Sequence, residues 1–310
     1  MGKGLRIIVN ILILLVVAGF VWYMIASLSK NETSYTGTET EQQSNDVFVS
    51  PYTKEVSFDI PKNISALELA DDKIYVATES SVMIFDLSGE LLTKFERTAD
   101  IRDIAVRDNF IYLLFPTSIR VYSSEGSEVN SWEACSDNSN YCSLTVTSGY
   151  VFVTDAENKN ICKYTTDGNF VAFINSPRGF VIPSFSFDID NWNDTIYCAN
   201  SGRQQIETYT LNGDFIASFG HPGGQPGAFA GCCNPAYISF TSDGDILTSE
   251  KGNPRICLFE KNGKFKELLL NSKMLGGGNK AYDVKIYNDK LYIAQDKTVY
   301  IFKIDNYAID

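Results

Sequence analysis

The chain has 310 residues, of which 44% are hydrophobic and 13% aromatic, and it carries a formal net charge of −12 at pH 7. This length suffices for one large domain or two ordinary ones. So acidic a chain is a poor nucleic-acid binder, because affinity for phosphates depends on lysine and arginine. A single histidine, His221, excludes metal sites built from several histidines and argues against Ser-His-Asp catalysis.

Residues 1–30 predict a cytoplasmic tip followed by a transmembrane signal anchor. A nearly unbroken apolar run covers residues 7–28, which is long enough to span a bilayer as a helix. Lys3 and Arg6 precede this run, and the positive-inside rule keeps that end in the cytoplasm. The rival interpretation is a cleaved signal peptide, but the run is long and no convincing cleavage site follows it. We expect a single-pass membrane protein whose body is periplasmic or extracellular.

Residues 31–45 are polar with almost no aliphatic side chains, and they predict a flexible linker. Residues 46–310 form the folded body, in which short β-rich runs alternate with turn signals. Two such signals are Asp243-Gly244 and Asn262-Gly263, where glycine accepts the positive φ of a tight turn. The stretch 219–265 predicts four short antiparallel strands, and a recurring unit of this kind is a β-propeller blade.

The unit recurs, which predicts an all-β, six-bladed β-propeller. The predicted blades cover residues 64–96, 101–133, 142–175, 185–220, the stretch 219–265, and 282–304. The last blade stops after three strands and would leave an open sheet edge. We predict that residues 54–60 supply its fourth strand, which would close the ring and tie the two ends of the domain together.

Several motifs resemble the NHL repeat. Residues 219–220, 223–229 and 235–238 are similar to its linker and first strand, and Asp155 takes the acidic position usual in that family. The resemblance covers residues 64–304 and extends to uncharacterised, membrane-anchored bacterial NHL proteins. It implies a propeller of NHL or TolB-like architecture. Many NHL propellers are binding modules, whereas a minority of six-bladed relatives are hydrolases or lyases that hold a divalent metal in the central channel.

The innermost predicted strands alternate between apolar residues and small or polar ones. This period of two places the second set on one face of each strand, which borders the channel in a propeller. The channel candidates are four acids and one lysine, namely Glu68, Asp103, Asp188, Asp283 and Lys285. Their carboxylates suit Ca²⁺ or Mg²⁺, and the alternative is a solvated channel with ordinary ion pairs. Residues 188–194 superficially resemble a calcium loop, but we expect a long turn there.

Seven cysteines lie on the predicted outer side of the membrane, where disulfides are favoured. Cys135 and Cys142 bracket a short loop between two blades and are the predicted disulfide. Cys232-Cys233 is an unusual insertion in the linker before a first strand. Three interpretations of it stay open: pairing of one member with another cysteine, a vicinal disulfide, or a thiolate pair for metal or redox chemistry.

Loops of the fifth blade are predicted to form a binding cluster. The loop into a first strand and the loop between second and third strands normally emerge on the same propeller face, and such loops commonly bind ligands. The predicted cluster comprises Cys232, Cys233, Asn234, Glu250, Lys251 and Arg255. The alternative is a set of turn and salt-bridge residues.

These features together favour a membrane-tethered, extracytoplasmic propeller that binds a protein, peptide or glycan and does not bind nucleic acid. The lack of a nucleophile motif and of a nucleotide-binding loop supports a binding role, and no catalytic residue is assigned. One alternative is a lactonase- or lyase-like enzyme that uses a divalent metal held by the channel acids. Another is a redox protein that uses the adjacent cysteines.

Overall fold

The computed structural model describes residues 15–19, 22, 48–97 and 100–305. The chain divides into two units, Met1–Phe48 and Val49–Asp310, and the second contains all strands of the described residues. Most of the predicted transmembrane segment and the whole predicted linker lie outside the described residues. Within the part of the chain that is described, no helix has the length and apolar character needed to cross a membrane.

The strands form six four-stranded antiparallel sheets, which confirms the predicted six-bladed β-propeller. The first strands of successive blades contact one another around the ring and therefore line its centre. Blade one contains β2 (Ile64–Ala70), β3 (Lys73–Thr78), β4 (Ser81–Asp86) and β5 (Leu91–Glu96). Blade two contains β6 (Asp103–Arg107), β7 (Phe110–Phe115), β8 (Ser118–Ser123) and β9 (Glu128–Glu133). Blade three contains β10 (Tyr141–Val146), β11 (Tyr150–Asp155), β12 (Asn160–Thr165) and β13 (Phe170–Ile174).

The next two blades repeat this order of strands. Blade four contains β14 (Ile189–Trp192), β15 (Thr195–Asn200), β16 (Gln205–Thr210) and β17 (Phe215–Phe219). Blade five contains β18 (Tyr237–Phe240), β19 (Ile246–Glu250), β20 (Arg255–Phe259) and β21 (Phe265–Leu270). Middle strands of the blades are buried on both faces, so the hydrophobic core lies in layers between neighbouring sheets.

The sixth blade joins the two ends of the propeller. It contains β22 (Asp283–Tyr287), β23 (Lys290–Gln295), β24 (Thr298–Ile304) and, at its outer edge, β1 (Tyr52–Asp59). β1 pairs antiparallel with β24, from Tyr52 opposite Ile304 to Asp59 opposite Thr298. The predicted closing strand is therefore confirmed, although it begins two residues earlier and ends one residue earlier than predicted.

Glycine turns between third and fourth strands let neighbouring blades approach closely. Gly168 has a φ of 90°, and a Cβ atom there would lie 2.6 Å from the ring of Trp132 in the preceding blade. Gly89 repeats this arrangement against Phe58 of the closing strand. Because the same contact recurs, the turn glycines of the sequence pattern serve blade packing as well as local turn geometry.

The long turn predicted over residues 188–194 is wrong. Residues 189–192 form β14, and the turn consists of Asn193 and Asp194, which have φ values of 48° and 62°. An Asn-Asp pair tolerates the left-handed conformation that a two-residue hairpin turn needs, so no longer loop is required. Asp190 consequently lies in this channel-lining strand, and Asp188 immediately precedes it.

Candidate functional site

Three aspartates at matching positions in alternate blades connect the inner strands around the channel. Each accepts a hydrogen bond from a backbone N–H of the next blade. The pairs are Leu144 N to Asp103 Oδ2 at 2.8 Å, Ile238 N to Asp188 Oδ2 at 2.7 Å, and Leu67 N to Asp283 Oδ2 at 2.7 Å. An innermost strand has no neighbouring strand on its channel side, so these carboxylates satisfy backbone donors that would otherwise lack a protein partner.

Lys285 pairs with two acids in the channel. Its Nζ lies 3.3 Å from Glu68 Oε2 and 3.8 Å from Asp190 Oδ2. Asp190 was not among the sequence candidates, because its segment was interpreted as a turn. Its spacing of two residues from Asp188, which places both on the same face of a strand, was the signal that could have identified it.

Burial controls the ionisation of these acids. Burial raises the pKa of Glu68 to about 7, although the positive charge of Lys285 opposes this shift. Burial also raises the pKa of Asp103 to about 6, and it raises the pKa of Asp188 well above its usual value. For Lys285, burial disfavours the charged form, but the surrounding carboxylates outweigh it and raise its pKa. The lysine therefore stays charged in a negative ring.

The channel acids do not gather into the predicted metal-binding group. Among the described residues, no cluster of three or more His, Cys, Asp or Glu side chains has the arrangement needed to hold a metal ion. The physical reason is their distribution around the ring: the three aspartates bind backbone amides of three different blades, and Glu68 pairs with Lys285. The solvated channel with ion pairs is the better description.

A cavity of about 600 Å³ contains this charged ring. The deeper acids among its lining residues are Glu68, Asp103, Asp188, Asp190 and Asp283. Other lining residues come from the loops that enter the first strands and, in blade five, from the loop between the second and third strands, and these form what we call the mouth. The mouth includes Arg102, Ser184, Phe185, Lys251 and Lys280. The cavity thus combines a mainly acidic interior with basic side chains at the mouth.

Phe185 is the prominent apolar side chain of the mouth. It is 60% exposed, and both it and Ser184 adopt left-handed φ values, 56° and 66°. Pairs of Asp and Asn take this conformation at several hairpin turns of the chain. A bulky aromatic residue rarely does, and such strain concentrates at functional sites. The backbone therefore holds an aromatic ring at the entrance of an acidic cavity, where a ligand can contact it.

The predicted loop cluster divides into a structural part and a part beside the mouth. Glu250 and Arg255 form a buried ion pair, with Nε–Oε1 at 2.5 Å and relative exposures of 1% and 4%. Arg255 also donates to the carbonyls of Gly224 and Ala228, and Ala230 N donates to Glu250 at 2.9 Å. These two residues therefore fix the glycine-rich linker, and their burial favours the alternative of salt-bridge residues over a ligand contact.

Asn234 has a similar structural role. Its side chain donates to the carbonyls of Ala230 and Lys251 and accepts from Lys251 N at 2.9 Å. This bridge fixes the main chain of Lys251, whose side chain lines the cavity. Cys233 lies next to the mouth, where its Sγ is 3.6 Å from Ser184 Oγ.

The predicted Cys135–Cys142 disulfide is not formed. Cys135 Sγ lies 3.1 Å from Cys162 Sγ, whereas Cys142 Sγ contacts the carbonyl of Asn140 at 3.6 Å. Tyr141 explains the difference, because its hydroxyl contacts Cys135 Sγ and successive residues of a strand point to opposite faces. Cys142 therefore points away from Cys135. Three other cysteines, Cys162, Cys198 and Cys257, lie inside strands and are buried.

No protein-family model matches the sequence, and no curated protein matches it. Solved structures do resemble the fold. A catalytically inactive virginiamycin B lyase from Staphylococcus aureus, solved with quinupristin, has 13% identity and a TM-score of 0.58 over 82% of this chain and 100% of that chain. A streptogramin B lyase gives 14% identity, a TM-score of 0.58, and coverage of 82% and 98%.

The WD40 β-propeller domain of Doa1 is also similar, with 12% identity, a TM-score of 0.56, and coverage of 83% of this chain and 98% of that chain. At these identities the similarity concerns the fold alone. The comparisons thus support a six-bladed propeller and leave the NHL resemblance resting on the sequence motifs.

Proposed function

We propose that this propeller is a binding module whose cavity takes a positively charged segment of a peptide or protein. The observation that carries the proposal is the cavity of about 600 Å³ with five carboxylates and one lysine in its interior. A ligand ammonium entering it would meet carboxylates from four of the six blades. The net charge of −12 also favours the approach of cationic ligands.

Phe185 supplies the second recognition element. An exposed ring at the mouth can pack against an apolar side chain of the ligand or lie under a cationic one. Lys251 and Lys280 at the mouth add donors for the carbonyl groups of a peptide backbone. A peptide provides these three features together: a cation, an apolar group and carbonyl oxygens.

The lyase-like alternative has weaker support. The fold similarity to virginiamycin B and streptogramin B lyases favours it. However, the catalytically inactive form of that lyase carries a histidine-to-alanine substitution, and the residues that line the present cavity include no histidine. The chain's single histidine, His221, belongs to the linker before blade five. A binding module is therefore the better proposal.

The tether to a membrane is a separate part of this proposal and rests on the sequence. The apolar run of residues 7–28 and the basic residues before it support an N-terminal anchor with the propeller periplasmic or extracellular. Alkaline extraction followed by protease protection tests it. We expect the chain to stay with the membranes and the propeller to be accessible from the outside, whereas release into the soluble fraction would refute the tether.

Substituting Phe185→Ala is expected to weaken peptide binding about tenfold, because loss of an aromatic contact at a binding site costs about 1–2 kcal/mol. The experiment selects peptides from a random library on the purified full-length protein and measures their affinity by calorimetry. Phe170→Ala is the matched control, since Phe170 is also exposed, at 43%, but lies on the outer strand of blade three.

Selected peptides should be rich in lysine or arginine and should bind the Phe170→Ala protein normally. Two results would refute the proposal: selected peptides without positive charge, or an equal loss of affinity in both variants.

A further inference from the structure

Cys232 and Cys233 bring two sulfur atoms together beside the cavity mouth, and the proposed binding function does not use them. Their Sγ atoms are 3.0 Å apart. Cys232 is exposed and Cys233 is buried, so one thiol faces solvent and the other lies directly behind it. Asn234 follows the pair and holds this loop through its hydrogen bonds to Ala230 and Lys251.

The surroundings of Cys233 favour its thiolate. Ser184 Oγ lies 3.6 Å from its Sγ, and Lys251, whose Nζ donates to Ser186 Oγ at 2.9 Å, contributes positive charge nearby. Partial burial opposes ionisation, but the hydrogen bonds of Cys232 and Ser184 together with Lys251 outweigh it and lower the pKa of Cys233. The hydrogen bond to Cys233 raises the pKa of Cys232. The two sulfurs are therefore unequal, because Cys233 ionises more readily than Cys232.

We propose that Cys232 and Cys233 are a redox-active dithiol that reacts with low-molecular-weight disulfides and closes to a vicinal disulfide. Its geometry supplies what this chemistry needs: an accessible first sulfur, a second sulfur 3.0 Å away, and a lysine that stabilises negative charge on the second. Lys251 acts as a positioning residue, because it stabilises the thiolate without bonding to the oxidant.

The reaction takes two exchange steps. Cys232 reacts first because its sulfur is the exposed one. Its thiol loses a proton, the resulting thiolate attacks one sulfur of the oxidant, a new S–S bond joins them, and the oxidant's own S–S bond breaks to release one thiolate. The Cys233 thiolate then attacks Cys232 Sγ, which forms the vicinal disulfide and expels the second thiolate. The two protons lost by the cysteines end on the two released thiols. The pair is oxidised by two electrons, and the low-molecular-weight disulfide is reduced by two.

Cys135 and Cys162 provide an internal comparison. Their sulfurs are almost as close, at 3.1 Å, but Cys162 is buried and Cys135 is only partly exposed. Burial raises the pKa of Cys162, and the hydrogen bond with Cys135 raises it further. Proximity is thus common to both pairs, whereas an exposed first thiol and a stabilised second thiolate occur together at Cys232 and Cys233.

The test treats the reduced full-length protein with oxidised glutathione and follows each cysteine by alkylation and mass spectrometry. We expect Cys232 and Cys233 to lose alkylation together through a transient glutathione adduct, well before Cys135 and Cys162. In Cys233→Ser, the adduct at Cys232 should accumulate. In Cys232→Ser, oxidation at this site should be lost. These variants distinguish ring closure from simple modification of an exposed thiol.

Lys251→Met should shift the pH–rate profile of ring closure to higher pH and slow closure at pH 7 about three- to tenfold. Lys280→Met is the matched control, because Lys280 also lines the mouth but pairs with Asp296, and its profile should stay unchanged. The proposal is overturned if Cys232 and Cys233 react no faster than the Cys135 and Cys162 pair. It is also overturned if the glutathione adduct at Cys232 persists in the unmodified protein as it does in Cys233→Ser.

Discussion

Deletion of residues 49–59 is expected to abolish cooperative folding of the propeller, because it removes the strand that closes the ring. β1 pairs with β24 along most of its length. Its loss would leave β24 as an open edge and expose the core between the last blade and the first. Circular dichroism and size-exclusion chromatography would detect the loss of a sharp thermal transition and the appearance of aggregates.

The closing strand also contacts the two blades on either side of its own. Phe58 packs against Phe85 of blade one with ring centroids 4.8 Å apart. Ser50 Oγ donates to the carbonyl of Leu269 in blade five at 2.6 Å, and Tyr52 is buried in the same cluster as that leucine. These contacts explain why a short terminal segment should have an effect on the whole ring.

The control is a deletion of residues 31–45, which the sequence predicts to be a linker. That deletion should leave the thermal transition of the propeller unchanged. If the chain without residues 49–59 unfolded at the same temperature as the control, the ring would not depend on its closing strand.

Arg255→Met is expected to destabilise the protein by about 3–5 kcal/mol, because it leaves the carboxylate of Glu250 buried without its partner. The same substitution removes the donors that hold the carbonyls of Gly224 and Ala228. The free energy of unfolding, from denaturant titration, is the measurement.

Lys264→Met is the matched control for this prediction. Lys264 also pairs with a glutamate, Glu260, at 3.3 Å, but the lysine is exposed, so its loss should cost less than about 1 kcal/mol. Equal changes in the two variants would show that burial does not determine the importance of the Glu250–Arg255 pair.

The blades and their closing strand could be predicted because their signals are local. Alternating apolar residues and turn glycines indicate strands and hairpins from a few neighbouring residues. The fourth strand of the last blade was predicted because its three other strands would leave an open edge. The channel acids could be predicted for the same reason, since the alternation of a strand assigns its faces.

Contacts between distant segments were the ones that sequence patterns missed. Nothing near Glu250 or Arg255 in the sequence shows that a linker 20 to 31 residues earlier supplies their amide and carbonyl partners. Cys135 is close to Cys142 in the sequence. In the structure, however, Cys135 contacts the hydroxyl of Tyr141 and the sulfur of Cys162, because Tyr141 and Cys142 point to opposite faces of their strand. Asp190 was missed because Asp and Asn are frequent in turns, whereas the turn needs only Asn193 and Asp194 and Asp190 pairs with Tyr197 in the strand before it.

The dependence of peptide affinity on pH tests the central claim that the acidic channel is the ligand site. Glu68 and Asp103, with pKa values near 7 and 6, are mostly neutral at pH 5 and ionised at pH 8. A cationic ligand should therefore bind more tightly as the pH rises. The unliganded fold should lose stability over the same range, because these folded-state pKa values lie above the unfolded ones.

Calorimetric titration of a selected cationic peptide into the full-length protein at pH 5 and pH 8 is the decisive measurement. We predict an affinity about five- to tenfold higher at pH 8, from the Coulomb energy of newly ionised carboxylates near the ligand charge. The increase should be smaller in Glu68→Gln and unchanged in Glu267→Gln, which lies on an outer strand. An affinity that is equal at both pH values, or that changes alike in both variants, would contradict the channel as the binding site.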